Sequence, residues 1–518
     1  MGAYLRENPM DDTDRDTGTA QGGGATGAVG DRPRPLPQLA DARPHTTRAF
    51  TGQTCLHQYR FTQYTYSEGI SGSAMRNIKR FFWAFLCILT GLWLLAELAS
   101  WSAPAHFFAW RAVWMQYSGV LGIGVMSAAM VLAVRPVVFE PYLGGLDKMY
   151  RLHKWLGISG LVISVAHWLL AQGTKWMVGW GWLQRPARGP RPALLDAPIQ
   201  QFFMSQRGLA ESIGEWAFYA AVVLMVLALV KWFPYRHFFK THHLLAVAYL
   251  ALVWHSVVLL KFDYWSGLLG PLMGVLMAAG TAAALMVLFR RVAVGRQVVG
   301  EVAGIRHHAS LDVIEVDILC KGRWAGHESG QFAFLTLHVD EGPHPYTISS
   351  AWTGDGHITF IIKALGDYTR TLSKCVHMGD VVKLEGPYGR FNFQGEQPRQ
   401  IWVGAGIGIT PFIARMKALA AVPDGKTVDL FHPTAVYDDH AIGLMTRDAQ
   451  AAGVRLHVLW SQRDGQLNAA RLTQQVPGWQ DADIWFCGPA AFGQSLKKDL
   501  AAMGLPEGRF HQELFQMR

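Results

Sequence analysis

RLHKWLGISGLVISVAHWLLA (151–171) places His153 and His167 14 residues apart inside an apolar run long enough to cross a membrane. A second run, THHLLAVAYLALVWH (241–255), places His242 and His255 13 residues apart. An α-helix rises ~1.5 Å per residue, so each pair spans ~20 Å along its axis with both rings on roughly one face. Polar side chains at that depth are costly, so they need a reason. Two such helices side by side would offer two stacked metal sites, each closed by two imidazoles. An iron closed on both axial sides carries electrons and does not bind oxygen directly. His243, offset ~100° from His242, is the second choice at the inner level.

Around these helices the 518-residue chain is 50% hydrophobic and 16% charged, with 20 Trp. That is too apolar for a soluble protein and too charged for a bare membrane bundle, so a membrane half plus a soluble half is expected. The net charge of +9 reads as loop Lys and Arg on the inner side of a membrane rather than as a nucleic-acid surface. Cys55, Cys87, Cys320, Cys375 and Cys487 show no CxxC spacing and define neither a disulfide framework nor a zinc site.

Residues 1–74 are rich in Gly, Pro, Asp and Thr and read as disordered, with no signal peptide after Met1. Met75 opens MRNIKRFFWAFL, a basic patch before an apolar run, and competes with Met1 as the start. Six spans are expected near 79–99, 113–134, 150–171, 214–232, 241–260 and 267–289. A long basic outer loop (172–213), with Arg185, Arg188 and Arg191, joins the third to the fourth. Lys and Arg favour the side that holds both chain ends, which is therefore the cytoplasmic side of a multi-pass protein of the cell membrane. Arg135, Arg151 and Lys154 are either propionate partners of an inner haem or ordinary inside charges.

After Arg291 the pattern changes to short alternating runs: VIEVDIL, QFAFLTLHV, HITFIIKAL and DVVKLEG. They predict an antiparallel barrel of ~100 residues. From residue 399, strands alternate with helices, the pattern of a parallel α/β nucleotide-binding sheet. The fold expected is a six-helix transmembrane bundle (75–292), an antiparallel β-barrel (293–397) and an α/β domain (398–518).

HPYTISS (344–350) suits a flavin, with His344 facing phosphate, Tyr346 stacking and Thr347 bonding the ring edge; Pro345, Ser349 and Ser350 complete the run. In GDYTRTL (366–372), Gly366 opens a helix whose first amides, with Thr369, form an anion site. GPYGRF (386–391) is a rigid turn joining barrel to α/β domain. GAGIGITP (404–411) lies between a strand and a helix and cradles a pyrophosphate. FCGP (486–489) ends a strand, so Cys487 either faces the nicotinamide or is a small buried residue.

Taken together, the paired histidines, HPYTISS, GDYT, GAGIGITPF and FCGP resemble the ferric reductase / NADPH oxidase superfamily from about residue 78 to the C-terminus. The resemblance implies two b-type haems, FAD and NADPH, with NADH as the alternative donor. It implies that His344, Tyr346, Thr347, Lys363 and Thr369 contact FAD. Gly404, Gly406, Gly408, Thr410, Pro411, Cys487, Gly488 and Pro489 would line the dinucleotide site, and Phe515 in RFHQELFQMR would cover the flavin. One departure stands out. After the second α/β strand, FHPTAVYDD holds no Arg or Lys for a 2′-phosphate. His432 is at hand there, and Arg463 in WSQRDGQ is the better cation. Oxygen reduced to superoxide is the expected acceptor, with a ferric chelate or a periplasmic or quinone partner as alternatives. A channel or haem sensor is the reading from another class. No DxDxDG calcium loop is present.

Overall fold

The structure, a computed structural model, describes residues 70–99, 104, 106–184, 198–230 and 233–513. Phe515, Cys55, Arg185, Arg188, Arg191 and nearly all of the segment expected to be disordered lie outside the described residues.

Among the described residues, six helical spans are long and apolar enough to cross a membrane. They are α1 (Ile70–Leu98), α2 (Phe107–Ala133), α4 (Leu146–Gly179), α5 (Pro198–Leu229), the broken pair α6 (Tyr235–His242) and α7 (Leu244–Leu259), and α8 (Leu269–Leu288). A single turn, α3 (Glu140–Leu143), links α2 to α4. The expected boundary at 74/75 falls inside α1.

The third and fourth spans differ most from expectation. Most of the expected 172–213 loop is helix, because α4 runs to Gly179 and α5 starts at Pro198. Hydropathy marks only the ~30 Å of hydrocarbon, whereas the 34 residues of α4 extend well beyond that thickness. Their polar ends find partners: Gln172 Nε2 donates to Glu215 Oε1 at 2.6 Å, and Arg111 Nε to the Leu170 carbonyl at 2.8 Å.

Next comes an antiparallel sheet: β1 (Gln297–His308), β2 (Val313–Cys320), β3 (Phe332–Thr336), β4 (His344–Thr347), β5 (His357–Lys363) and β6 (Val381–Tyr388). The order is β4-β3-β6-β1-β2-β5, and an Ile348–Phe360 bridge joins the two edges into a barrel. β1 lacks a clean alternation because Gly300 and Gly304 interrupt it and a bulge lies between Val302 and Gly304. A methyl at Gly300 would come 2.6 Å from Ile318, so glycine here permits close strand packing. α9 (Asp367–Cys375) lies between β5 and β6.

The last unit holds β7 (Arg399–Gly404), α10 (Thr410–Ala421), β8 (Thr427–Thr434), α11 (Asp439–Ala451), β9 (Arg455–Trp460), α12 (Ser461–Asp464), α13 (Ala469–Gln475), β10 (Ala482–Cys487), α14 (Ala490–Ala502) and β11 (Phe510–Gln512). Its sheet is parallel, ordered β11-β10-β7-β8-β9. The chain winds one way from β7 to β9, then crosses back to β10. The switch point therefore lies between β7 and β10, where ligands of such sheets bind.

Helices and barrel share a core. Leu146, Met149 and Leu152 cluster with Phe332, Phe334 and Tyr388. Arg135 crosses this seam in a left-handed conformation (φ 58°). Its guanidinium lies 4.0 Å from the Phe334 ring centroid, donates from Nε to the Tyr150 hydroxyl at 2.9 Å, and pairs with the buried Glu385. Glu385 also accepts from Gln297 and Tyr388. The expected choice for Arg135, haem partner or inside charge, thus gives way to a third role: it bonds to the barrel. Removing one member of a buried pair leaves the other uncompensated. Arg135→Met should therefore cost about 3–5 kcal/mol at the seam, read as earlier thermal unfolding and faster proteolysis between the halves in detergent. Unchanged unfolding in that variant would show that the pair contributes nothing.

Candidate electron-transfer site

The four histidines meet in two pairs. His153 on α4 and His242 at the end of α6 have ring centroids 6.0 Å apart, at 68°. His167 on α4 and His255 on α7 are 6.3 Å apart, at 79°. A metal–imidazole nitrogen bond is about 2 Å, so two such bonds and the two ring radii span roughly 6 Å. The pairs are spaced to grip a metal between them. Among the described residues no group of three or more His, Cys, Asp or Glu converges as a metal site. Any metal here would need its remaining ligands from a prosthetic group, as in haem.

The ring orientations have visible causes. His153 Nδ1 is 2.9 Å from the Ala129 carbonyl, and His255 Nδ1 is 2.8 Å from that of Ala210. Each ring therefore donates from Nδ1 and keeps the Nε2 lone pair for a metal. His167 Nδ1 lies 2.9 Å from Ser118 Oγ. A methyl on Gly214 would sit 2.0 Å from His255 Nδ1, so only glycine leaves room for that ring against α5. His242 Nδ1 is buried without a hydrogen bond, and its ring stacks on Phe238 at 4.9 Å. His243 turns instead to the Phe239 carbonyl, at 2.5 Å.

In HPYTISS, β4 pairs Tyr346 with Ala333, Pro345 with Phe334, and Thr347 with Phe332. The His344 ring is sandwiched, 4.6 Å from Tyr235 of α6 and 4.6 Å from Tyr368 of α9. His344 Nε2, Tyr346 OH and Ser349 Oγ are all buried without partners. Three orphaned polar atoms within six residues are a set of hydrogen-bonding groups that a ligand would satisfy. Ser350 Oγ accepts from the Thr359 amide at 3.1 Å. Lys363 ends β5 opposite Val313. Thr369 Oγ1 accepts from the Leu365 and Gly366 amides at 3.0 and 2.9 Å. Those two donors stabilise the turn that opens α9.

At the switch point the two loops touch. A methyl at Gly408 would lie 2.2 Å from the Cys487 carbonyl, and the Ala405 amide donates to that same oxygen at 2.9 Å. Gly404 abuts Ile409 and Phe412, Gly406 takes a left-handed φ of 55°, and Thr410–Pro411 start α10. Gly488 packs on Ala405, and Pro489 caps α14. Cys487 is buried, which raises its thiol well above the usual range. It is therefore a neutral thiol and no thiolate nucleophile. His432 is not a surface cation: it is buried, kept neutral by that burial, and bonds the Gly404 carbonyl at 2.8 Å. Arg463 is ion-paired with Asp464 and lies 6.0 Å from the Tyr437 ring. Tyr235, Ser118 and Gly214 carried no sequence signal as site residues. Their importance comes from tertiary proximity alone.

Residues 118–253 match the family model "Ferric reductase like transmembrane component", a span that holds His153, His167 and His242 and ends just before His255. Residues 306–392 match "FAD-binding domain", a span that holds HPYTISS, Lys363 and GDYT. The chain is thus similar to ferric reductase-like transmembrane proteins over its helices and to FAD-binding domains over its barrel. An "NADPH oxidoreductase" of Mycobacterium tuberculosis is 28% identical over 42% of this chain and 60% of its own length. A "Flavohemoprotein" of a Burkholderia species is 28% identical over 36% of this chain and 50% of its own. The chain thus spans about half the length of the curated relatives it matches. The FAD/NAD-binding domain of a Vibrio cholerae nitric oxide dioxygenase aligns over 42% of this chain and 97% of that one, at 24% identity and a TM-score of 0.37.

Burial lowers the His344 imidazole from 6.5 to about 4. As pH falls below 6.5 the unfolded chain takes up this proton and the folded one does not, so folding stability is lost between pH 6.5 and about 4. His344→Gln should flatten that part of the stability curve, measured by denaturant titration across the range. An unchanged slope would show that His344 does not contribute.

Proposed function

We propose that the chain carries electrons from NAD(P)H across a membrane to an acceptor on the far side, most readily oxygen. The observation that carries this is the geometry of the two histidine pairs, 6.0 and 6.3 Å apart on the same two spans, joined to a flavin-type barrel. When bound, FAD would split a hydride into single electrons and two b-type haems would pass them on. His153 and His242 would hold the inner haem, and His167 and His255 the outer one. His344, Pro345, Tyr346, Thr347, Ser349, Ser350, Lys363, Gly366 and Thr369 would seat FAD. Gly404, Gly406, Gly408, Thr410, Pro411, Cys487, Gly488 and Pro489 would position the nicotinamide dinucleotide, with Arg463 toward a 2′-phosphate. The three structured units would be 75–292, 293–397 and 398–518.

Arg76 of α1 pairs with Glu507 before β11 at 3.0 Å, which supports both ends of the folded part lying on one side. Positive-inside bias would make that side cytoplasmic. Outward transfer would then be electrogenic, at ~2.3 kcal/mol per charge per 100 mV. Toward the far side a cavity of about 130 Å³ is lined by Phe108, Arg111, Ala171, Thr174, Lys175 and Val178. It is well below the ~300 Å³ of ordinary small-molecule pockets. Its cations, Arg111 and Lys175, favour a developing anion.

The deciding experiment is an anaerobic visible spectrum of FAD-loaded protein in detergent after NADPH, followed by air with superoxide trapping. Reduced haem bands that reoxidise with trapped superoxide are expected. Reoxidation without superoxide would move the acceptor to a ferric chelate or a partner, and haem bands that dithionite reduces but neither nicotinamide does would overturn the path. His167→Leu should keep flavin reduction and abolish transfer to the outside. Gly214→Ala should displace His255 and remove the same haem signal, measured as haem per protein. Transfer that survives either change at the wild-type rate would sink the outer-site assignment.

A further inference from the structure

Three carboxyl groups are buried where the membrane helices meet the dehydrogenase half. Glu140 of α3 is 4% exposed, Asp147 at the start of α4 is 3% exposed, and Glu513 just after β11 is 3% exposed. Carboxyls are almost never so buried unless paired. Yet Glu140 Oε1 and Glu513 Oε2 have no hydrogen-bond partner. All three gather about the GPYGRF turn. The Gly389 amide lies close enough to Glu140 to favour its charged form. A methyl on the same glycine would lie 3.6 Å from Glu513 Oε1. A methyl on Gly145 would lie 2.9 Å from Asp147 Oδ1 and 3.5 Å from Arg390 Cγ.

The surrounding charges grade the three groups. Asp147 is ion-paired with Lys148 at 2.8 Å, and Lys148 Nζ also donates to the Gln512 carbonyl at 3.3 Å. Glu140 is pushed up to about 7 by burial, against the Gly389 amide, Arg296 and Arg390, with Asp147 adding to the rise. Burial likewise raises Glu513 well above the carboxylate range, Asp147 raising and Lys148 lowering it. Glu513 in turn lies near the buried Cys487 thiol. The outer two are thus buried acids, and the middle one is ion-paired with Lys148. Glu140 is flanked by the exposed Arg296 and Arg390.

Resting on the function proposed above, the proton balance requires an exit here. A nicotinamide C–H bond breaks and delivers a hydride, two electrons and one proton. Both electrons leave through the membrane domain to the acceptor, and the proton stays on the dehydrogenase side. We propose that Glu513, Asp147 and Glu140 form the route by which this proton leaves the flavin–nicotinamide site for the solvent around Arg296 and Arg390. Glu513 receives it on the nucleotide side, Asp147 accepts it across the seam, and Glu140 releases it. The membrane domain thus supplies two of the three groups, so the route exists only while the two halves are docked.

The test uses full-length, cofactor-loaded protein in weakly buffered anaerobic solution with a pH-indicator dye. After one addition of NADPH, the wild type should release one proton per NADPH in step with haem reduction. Glu140→Gln and Asp147→Asn should slow proton release and haem reduction together by roughly tenfold or more, with a changed pH profile. Wild-type rates and pH profiles in both variants overturn the route. An independent readout needs no cofactor: infrared spectra of the apo-protein near neutral pH should show a protonated-carboxyl band that Glu140→Gln diminishes, and its absence also overturns the proposal. If wild-type haems never reduce with NADPH, it is the function reading that fails, and the infrared band still reports on the carboxyls.

Discussion

An imidazole buried at membrane depth has two ring nitrogens and no water to satisfy either. The two pairs described above meet that constraint unevenly, and the surrounding architecture follows from how they do. Two Nδ1 atoms find helix carbonyls at Ala129 and Ala210, and a third finds Ser118. These contacts require α2 and α5 to lie close against α4 and α7. Gly214 allows the α5 approach, since any side chain there would meet His255. A buried polar group without a partner costs roughly 2–7 kcal/mol. Three of the four Nδ1 atoms are therefore bound by helix packing, His242 being the exception, while the other ring nitrogens remain available to a metal. In the proposed reading the same packing fixes both the tautomer and the spacing.

The second constraint is the seam. Membrane helices and barrel share an apolar core around Phe332 and Phe334, with Arg135 and Glu385 crossing it. An ion pair of this kind need not add net stability over an apolar substitute, because desolvation offsets its attraction. Its two members are each held by several neighbours, so they tolerate few other arrangements of the two halves. That favours orientation as their contribution. The buried carboxyls nearby obey the same logic, since they make sense only when the halves are docked.

Much of this was legible in the sequence. The spans stand out because hydrocarbon thickness imposes ~20 apolar residues. The histidine pairs stand out because polar groups are rare at that depth. The barrel strands with alternating burial and the glycine-rich turn after β7 were equally visible. What stayed hidden depends on distance rather than pattern. The helical ends of α4 and α5 are polar and resemble loop. β1 is masked by its glycines and bulge. Arg135 looked like an inside charge because nothing local points to Glu385, 250 residues away. His432 looked available until burial and the Gly404 carbonyl accounted for it.

The break between α6 and α7 makes a separate element of the first two turns of the fifth span. α6 is a two-turn rod whose first residue, Tyr235, packs its ring tilted against His344 of the barrel, and whose last, His242, faces His153. Seven helical steps separate them, about 10 Å. In the proposed reading, the gap an electron must tunnel from flavin to inner haem is set by the length of one short covalent rod. Docking forces alone would let that gap breathe, and tunnelling rates fall steeply with distance. A single inserted residue in α6 would lengthen the rod by ~1.5 Å and swing its end by ~100°. The segment is therefore a molecular ruler, in which a change of length matters more than most changes of side chain.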